Sequence, residues 1–207
     1  MTVQIPGFCG IYFNQPLPSS VKSKFYYKDE GEALCEYNRI RHCCLSIEDG
    51  YVPKTFMAYD RYLVRLYPCS NDRQHLMDKE YYYRLKVGAV KGWYQGSMKD
   101  EYGFPAHNQE NKEMVISLFH KTKAFLDDWL KIEGKVNTRN YTYGTALCTD
   151  AYCMYDITNY LISINYDIYE DRSIQSNAYI QVETKEFYNI MCDIYNKSEN
   201  GDVSAFM

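Results

Sequence analysis

The stretch YLISINYDIYEDRSIQSNAYIQVETK, residues 160–185, alternates apolar and polar side chains in both of its halves. In the first half every second residue from 160 to 168 is apolar, and in the second half Ile180 and Val182 keep the same period. A period of two is typical of a β-strand with one buried face. The sequence therefore predicts two strands that form a hairpin across residues 170–177.

Two helices are predicted from apolar positions that recur every three or four residues. One follows the hairpin directly, over residues 185–197, with Thr184 as its cap. The longer one covers residues 109–133 and is bounded by Asn108 and Gly134. The apolar stripe of the longer helix consists of Val115, Leu118, Phe119, Thr122, Phe125, Leu126, Trp129 and Ile132.

The remaining elements are shorter. Residues 9–13 and 24–27 are predicted strands, 32–47 a helix, and 55–68 and 80–94 fit either type. Helices together with an antiparallel hairpin indicate an α+β fold, with helices packed on a small, mainly antiparallel sheet. The length of 207 residues favours one domain, 1–207, and the alternative is a division near 95–108 that separates 1–94 from 109–207.

Composition and the N-terminal sequence indicate the class of protein. The 46% hydrophobic and 24% charged residues are those of an ordinary globular chain. No basic segment followed by an apolar one resembles an export signal, and no apolar run reaches the roughly 18 residues that span a bilayer. We therefore expect no membrane association, a cytoplasmic location and reduced thiols for the eight cysteines.

Residues 38–50, NRIRHCCLSIEDG, place His42 beside Cys43 and Cys44 and raise the question of a metal or nucleophile site. If 32–47 is helical, Cys44 lies on the apolar stripe and His42 lies roughly 200° away around the helix. Such a pair is poorly placed to bind one ion, so a buried thiol is predicted, with a ligand role as the alternative. The other cysteines lack zinc-site spacing, and no cofactor is predicted.

Tyrosine is unusually abundant, with 23 residues against 9 phenylalanines. A tyrosine ring has an apolar body and a polar tip, and it is therefore enriched at binding interfaces. An AT-rich gene, as in many phages, is the alternative explanation, because the codons for Tyr, Asn, Lys and Ile are also rich in A and T. The composition thus indicates either a binding surface or a codon bias.

A group of charged residues on the predicted hairpin suggests an enzymatic alternative. Asp167 lies on the first strand, and Glu183 and Lys185 end the second. Two carboxylates can hold Mg²⁺, and a lysine can activate the water that attacks a phosphate. The arrangement resembles the core of the PD-(D/E)xK nucleases, which implies magnesium bound by Asp167 and Glu183 and catalysis by all three residues. The net charge of −7 over residues 148–207 opposes DNA binding.

A second candidate surface lies in residues 79–99, where basic and aromatic residues interleave. Aromatic rings can stack on bases while cations bind phosphates, and Tyr, Trp and Arg also dominate protein interfaces. An amphipathic element with its rings packed inward is the structural alternative. The binding residues predicted here are Tyr81, Tyr82, Tyr83, Arg84, Lys86, Lys91, Trp93 and Tyr94.

No motif specific to one reaction occurs, so the sequence favours a non-enzymatic interaction protein, phage- or virus-encoded, that docks on a protein partner. The net charge is +2 over residues 1–107 and −6 over 108–207. This asymmetry fits an inhibitor of a host nucleic-acid-processing or defence enzyme, whose acidic half would contact a basic groove. A virion assembly component is the other subclass, with the virion as its location. Nucleic acid is the alternative partner.

Overall fold

The computed structural model of the chain describes residues 4–18, 25–26, 43–47, 56–59, 61–67, 84–94, 109–170 and 174–199. The strands in these ranges are β1 (Gly7–Phe8), β2 (Ile11–Tyr12), β3 (Phe25–Tyr26), β4 (Cys43–Ile47), β5 (Arg61–Tyr67), β6 (Lys86–Tyr94), β7 (Val136–Tyr143), β8 (Ala146–Ile157), β9 (Tyr160–Tyr169) and β10 (Asn177–Thr184). The helices are α1 (Gln109–Leu130) and α2 (Lys185–Glu199).

Eight of these strands form one antiparallel sheet in the order β3-β4-β5-β6-β10-β9-β8-β7. After β6 the chain passes through α1 to the far edge of the sheet and returns through four consecutive strands, so that β10 pairs with β6. The prediction of helices packed on a small sheet is therefore wrong. The sheet is the main structural layer, the predicted hairpin supplies two of its inner strands, β9 and β10, and α2 follows β10 directly.

The two faces of the sheet differ in what covers them. On one face α1 packs across β9 and β10, and together they bury the main hydrophobic core. We call this the core face. Its side chains come from alternate positions of the strands and from one stripe of α1, as a period of two against 3.6 requires. The fully buried members include Val64, Val90, Ile162, Ile164, Ile180, Val115 and Phe119.

The opposite face, the polar face, holds a second small core at one end. Phe187 of α2 packs there against Tyr67 and Ala89, and the Phe187 and Tyr67 ring centroids lie 5.4 Å apart. Gly88 lies at a register shift between β5 and β6, where a Cβ would come within 2.5 Å of the Phe187 ring. A glycine at this shift therefore lets α2 approach the sheet closely.

Buried tyrosines join the layers through their hydroxyl groups. Thr122 donates to the carbonyl of Leu118 at 2.8 Å, so its oxygen accepts from the Tyr59 hydroxyl at 3.1 Å. Tyr155 of β8 donates to Asp127 Oδ1 of α1 at 2.8 Å. The rings of Tyr59 and Tyr155 are buried, and each hydroxyl has a hydrogen-bond partner, as buried polar groups require. Part of the tyrosine content is therefore structural.

Several predicted elements are confirmed. The hairpin pairs Asp167 with Asn177, the longer helix is α1, and Phe25–Tyr26 is a strand. The cap of the last helix is confirmed as well, because the backbone N–H of Phe187 donates to Thr184 Oγ1 at 3.1 Å. The end of α1 differs from the prediction: Lys131, with φ 56°, follows its last residue, and buried Gly134 instead packs against Tyr155.

Other predictions are wrong, hold only in part, or had left the type of element open. Residues 43–47 form strand β4, so the helix over 32–47 and the helical placement of Cys44 both fail there, while residues 32–42 lie outside the described part of the chain. Residues 61–67 and 86–94, which fitted either type, are strands. Residues 9–13 form part of a tight hairpin, with Cys9 and Gly10 at positive φ in its turn.

The cap of α2 leads to a first prediction. Replacing Thr184 by Val keeps the volume of a buried side chain but leaves the Phe187 N–H without its acceptor. We expect the free energy of unfolding to fall by about 1–2 kcal/mol. Denaturant unfolding measures it, and Thr184→Ser, which retains the hydroxyl, is the control. A Ser variant less stable than the Val variant would contradict the capping role.

Candidate interaction surface

The polar face carries charged and aromatic side chains in its central strands. The register places residues of neighbouring strands directly opposite one another: Asn177, Asp167, Asp150 and Arg139 form one row, and Trp93, Tyr179, Asn165 and Tyr152 form the next. Side chains directly opposite on one face lie within contact range of each other. The polar face is thus a continuous surface built by five strands.

The structure does not bring the three residues of the nuclease-like set together. Asp167 and Glu183 both lie on the polar face, but Glu183 is opposite Leu161, six residues from Asp167 along β9. At about 3.3 Å per residue this separates the two carboxylates by about 20 Å. Lys185 forms an ion pair with Asp156 instead. Among the described residues, no three His, Cys, Asp or Glu side chains lie together as a metal site would need.

A different carboxylate pair is present. Asp167 lies directly opposite Asp150, which is buried and accepts from Nε of Arg139 through both carboxylate oxygens at 2.8 Å. Burial raises the pKa of Asp167, and the charge of Asp150 raises it further, whereas Lys91 lowers it. Sequence reasoning missed Asp150, because its proximity to Asp167 depends on the β8–β9 register.

Lys91 is the central cation of the polar face. Its Nζ lies 4.0 Å from the centre of the Tyr179 ring, which is a cation–π contact. Burial lowers the pKa of Lys91 from 10.5 to about 8, and the charge of Arg65 adds to this, whereas Asp167 raises it. A partly desolvated ammonium is therefore held here by a ring and a more distant carboxylate.

The predicted binding stretch is divided between the two faces of β6. Lys91 and Trp93 lie on the polar face, but Tyr94 packs against the main core on the other side. Lys86, the first residue of β6, is exposed, and so is Arg84, which lies two residues before the strand. Tyr81, Tyr82 and Tyr83 lie outside the described residues. A binding role for this stretch stays a prediction, and the described part does not form one surface.

Strand β7 is the outermost strand beside β8, and no described strand pairs with its other side. It has eight residues and pairs with β8 without a register shift. The edge strands of protein sheets are usually protected from pairing with other chains by prolines, bulges, short length or clustered charges. β7 has no proline or bulge, and its one charged residue is Arg139. Within the described ranges it is therefore an open edge, and five of its eight residues are Val, Thr or Tyr, which favour strands.

The register shows which backbone groups of β7 point outward. Residues in antiparallel pairs alternate between bonding their partner and bonding the strand on the other side. The carbonyl of Leu147 accepts from Glu170 N–H on the β9 side at 3.0 Å, so its β7 partner Thr142 is not bonded to it. By alternation, the N–H and C=O groups of Thr142, Asn140 and Thr138 point away from the sheet.

Exposed aromatic and apolar side chains lie beside this edge on the polar face. Tyr143 at the end of β7 is 61% exposed, and Tyr152 and Met154 of β8 are 39% and 52% exposed. We call β7 and these three side chains the edge surface. A signal for this hairpin was present in the sequence: Gly144 and Thr145 are a two-residue turn between β-prone segments, and Gly144 has φ 60°.

A second feature is an apolar cavity of about 150 Å³ between α1 and the N-terminal segment. Its lining includes the rings of Phe8, Phe56, Phe125 and Trp129 and the buried side chain of Ile162. Neighbouring rings of this group contact one another, with centroids 5.4 to 6.2 Å apart. The exposed rings of Phe125 and Trp129, which belong to the predicted apolar stripe of α1, therefore border this cavity.

Comparison with protein families, with curated protein sequences and with solved structures finds no match for this chain. In the described part of the chain, no helix combines the length and the apolar character needed to cross a membrane. Class and function are therefore inferred from the geometry of the chain itself.

The polar face leads to a second prediction. A folded chain with a Lys91 pKa of about 8 binds fewer protons than the unfolded chain between pH 8 and 10.5. The free energy of unfolding of the parent minus that of the Lys91→Met variant should therefore rise as the pH increases through this window. Below pH 8 this difference should be constant. Denaturant unfolding of both proteins across the range measures the difference.

Lys86→Met, at an exposed position of the same strand, is the matched control for removing a positive charge. A parent-minus-Lys91→Met difference that is flat from pH 7 to pH 10.5 would contradict the burial of the Lys91 ammonium.

Proposed function

We propose that this chain is a non-enzymatic interaction protein that binds a protein partner by strand addition to β7. The observation that carries the proposal is a regular edge strand of eight residues whose outward backbone groups meet no described strand. In strand addition, main-chain hydrogen bonds provide affinity and neighbouring side chains provide selectivity. The edge surface offers both.

The side chains beside the edge support this role. Tyr143, Tyr152 and Met154 present large apolar area to solvent on one side of β7. Tyrosine provides contact area at low cost in conformational entropy, and methionine adapts to different shapes. An incoming strand would lie against these side chains while its backbone pairs with β7.

The electrostatics of the edge also favour docking. The single charged residue of β7, Arg139, is paired with Asp150, and its side chain remains 68% exposed. The edge therefore carries little net charge that would repel a partner strand, and the exposed guanidinium can donate hydrogen bonds to a further acidic group. Protected edges of other proteins use clustered lysines to prevent such pairing.

Two kinds of partner follow from the sequence. A host enzyme would make the chain an inhibitor that acts in the cytoplasm, whereas structural proteins of a particle would make it an assembly component. The identity of the bound partner distinguishes these subclasses.

A third prediction tests strand addition. Proline at position 140 removes an outward-pointing N–H without breaking a bond to β8, which edge strands tolerate. We expect Asn140→Pro to bind the partner about tenfold more weakly or worse, because one hydrogen bond is lost and the ring obstructs the incoming strand. Affinity capture with the immobilised protein, followed by titration of the retained partner, measures the effect.

Asn140→Ala is the matched control. It removes the side chain, which accepts a hydrogen bond from Thr149 at 2.9 Å, but keeps the backbone N–H. Thermal unfolding confirms that both variants fold. A partner that binds the parent and Asn140→Pro equally well would exclude β7 as the docking site. A chain that binds neither another protein nor a second copy of itself would remove the proposal.

A further inference from the structure

The edge surface fits a second copy of the chain. Two identical strands related by a twofold axis pair antiparallel, and each side contributes the same residues. This arrangement requires that the residues whose backbone groups point outward lie opposite one another in the two copies. It also requires that no two side chains of like charge lie directly opposite each other. β7 can be compared with these two requirements directly.

Only a few registers satisfy the backbone requirement. Thr138, Asn140 and Thr142 point their backbone groups outward, so they must pair among themselves. An axis at Arg139 places its guanidinium directly opposite the Arg139 guanidinium of the second copy, and two like charges then face each other. An axis at Tyr141 pairs only residues 139–143 of the strand. An axis at Asn140 pairs residues 137–143 and places no like charges in opposition.

The register centred on Asn140 is also favourable for the side chains on the polar face. Arg139 comes to lie opposite Tyr141 of the second copy, and Asn137 lies opposite Tyr143 of the second copy. Within one copy the Arg139 guanidinium already lies 5.4 Å from the Tyr141 ring centre. The guanidinium can therefore stack on a ring of either copy while Nε remains bound to Asp150.

The backbone requirement is met in the same register. Asn140 exchanges two hydrogen bonds with Asn140 of the second copy, and Thr138 does so with Thr142 of the second copy. The three bonded pairs supply about six main-chain hydrogen bonds. The sheets of the two copies then form one continuous sheet across the interface. In this dimer the β7 edge of each copy is paired.

We infer that the chain forms a twofold-symmetric dimer in which β7 pairs antiparallel with β7 of a second copy, with the axis at Asn140. This rests on the proposed strand addition and names its partner. Self-association through a sheet edge is the behaviour of an assembly component, and it favours that subclass over an inhibitor.

Site-specific cross-linking tests the register. With the axis at Asn140, Asn140→Cys places two thiols opposite each other at a Cα separation of about 5.5 Å, within disulfide range. Thr138→Cys places its two thiols about four residues apart along the strands, beyond that range. We expect mild oxidation to give a cross-linked dimer with Asn140→Cys but not with Thr138→Cys or the parent. Non-reducing electrophoresis measures this.

Sedimentation of the parent, Asn140→Pro and Asn140→Ala separates the possible outcomes. A dimer in the parent and Asn140→Ala, with monomeric Asn140→Pro, supports the inference. A dimer that persists in Asn140→Pro, or that cross-links equally through Thr138→Cys, overturns it. A monomeric parent that binds a different protein through β7 overturns the dimer and leaves strand addition standing, whereas a monomer that binds nothing removes both.

Discussion

The pairing of β6 with β10 is the constraint on which the rest of the structure depends. These strands lie far apart in the chain and meet at the centre of the sheet, where Val90 is opposite Val182 and Gly92 is opposite Ile180. Their hydrogen bonds join the strands before α1 to the strands after it. The same pairing produces one buried face that α1 covers. Without it, each half would be a smaller sheet with an additional open edge.

This arrangement explains why binding is assigned to the far edge of the sheet. The centre is occupied by intramolecular pairing, and α1 and α2 cover parts of opposite faces. β7 comes last in the strand order, and no described strand pairs with its outer backbone groups. On the polar face, the partly buried Tyr179 lies under the Lys91 ammonium and hydrogen-bonds to Asp167. They stabilise the interior of that face more readily than they bind a large partner.

Local pattern predicted some elements well and others poorly, for a physical reason. β10 and α1 each have one consistently buried face, so their periodicity is clear. In β8, Cys148 and Asp150 are buried on the polar face, whereas Ala151, Cys153 and Tyr155 are buried on the core face. The period therefore changes phase within one strand. No local pattern shows that Arg139 pairs with the buried Asp150, or that the Tyr141 hydroxyl bonds the buried Cys148 thiol.

The sequence by itself determined the elements whose amphipathic period is unbroken, together with the hairpin, the last helix and the excess of tyrosine. Only the tertiary structure decided which tyrosines are buried and which are exposed, because a tyrosine ring is buried by residues that are distant from it in the chain. It also decided that Asp167 and Glu183 lie apart and that β7 is an edge. Strand register and strand order depend on long-range pairing, which a local pattern of side chains does not encode.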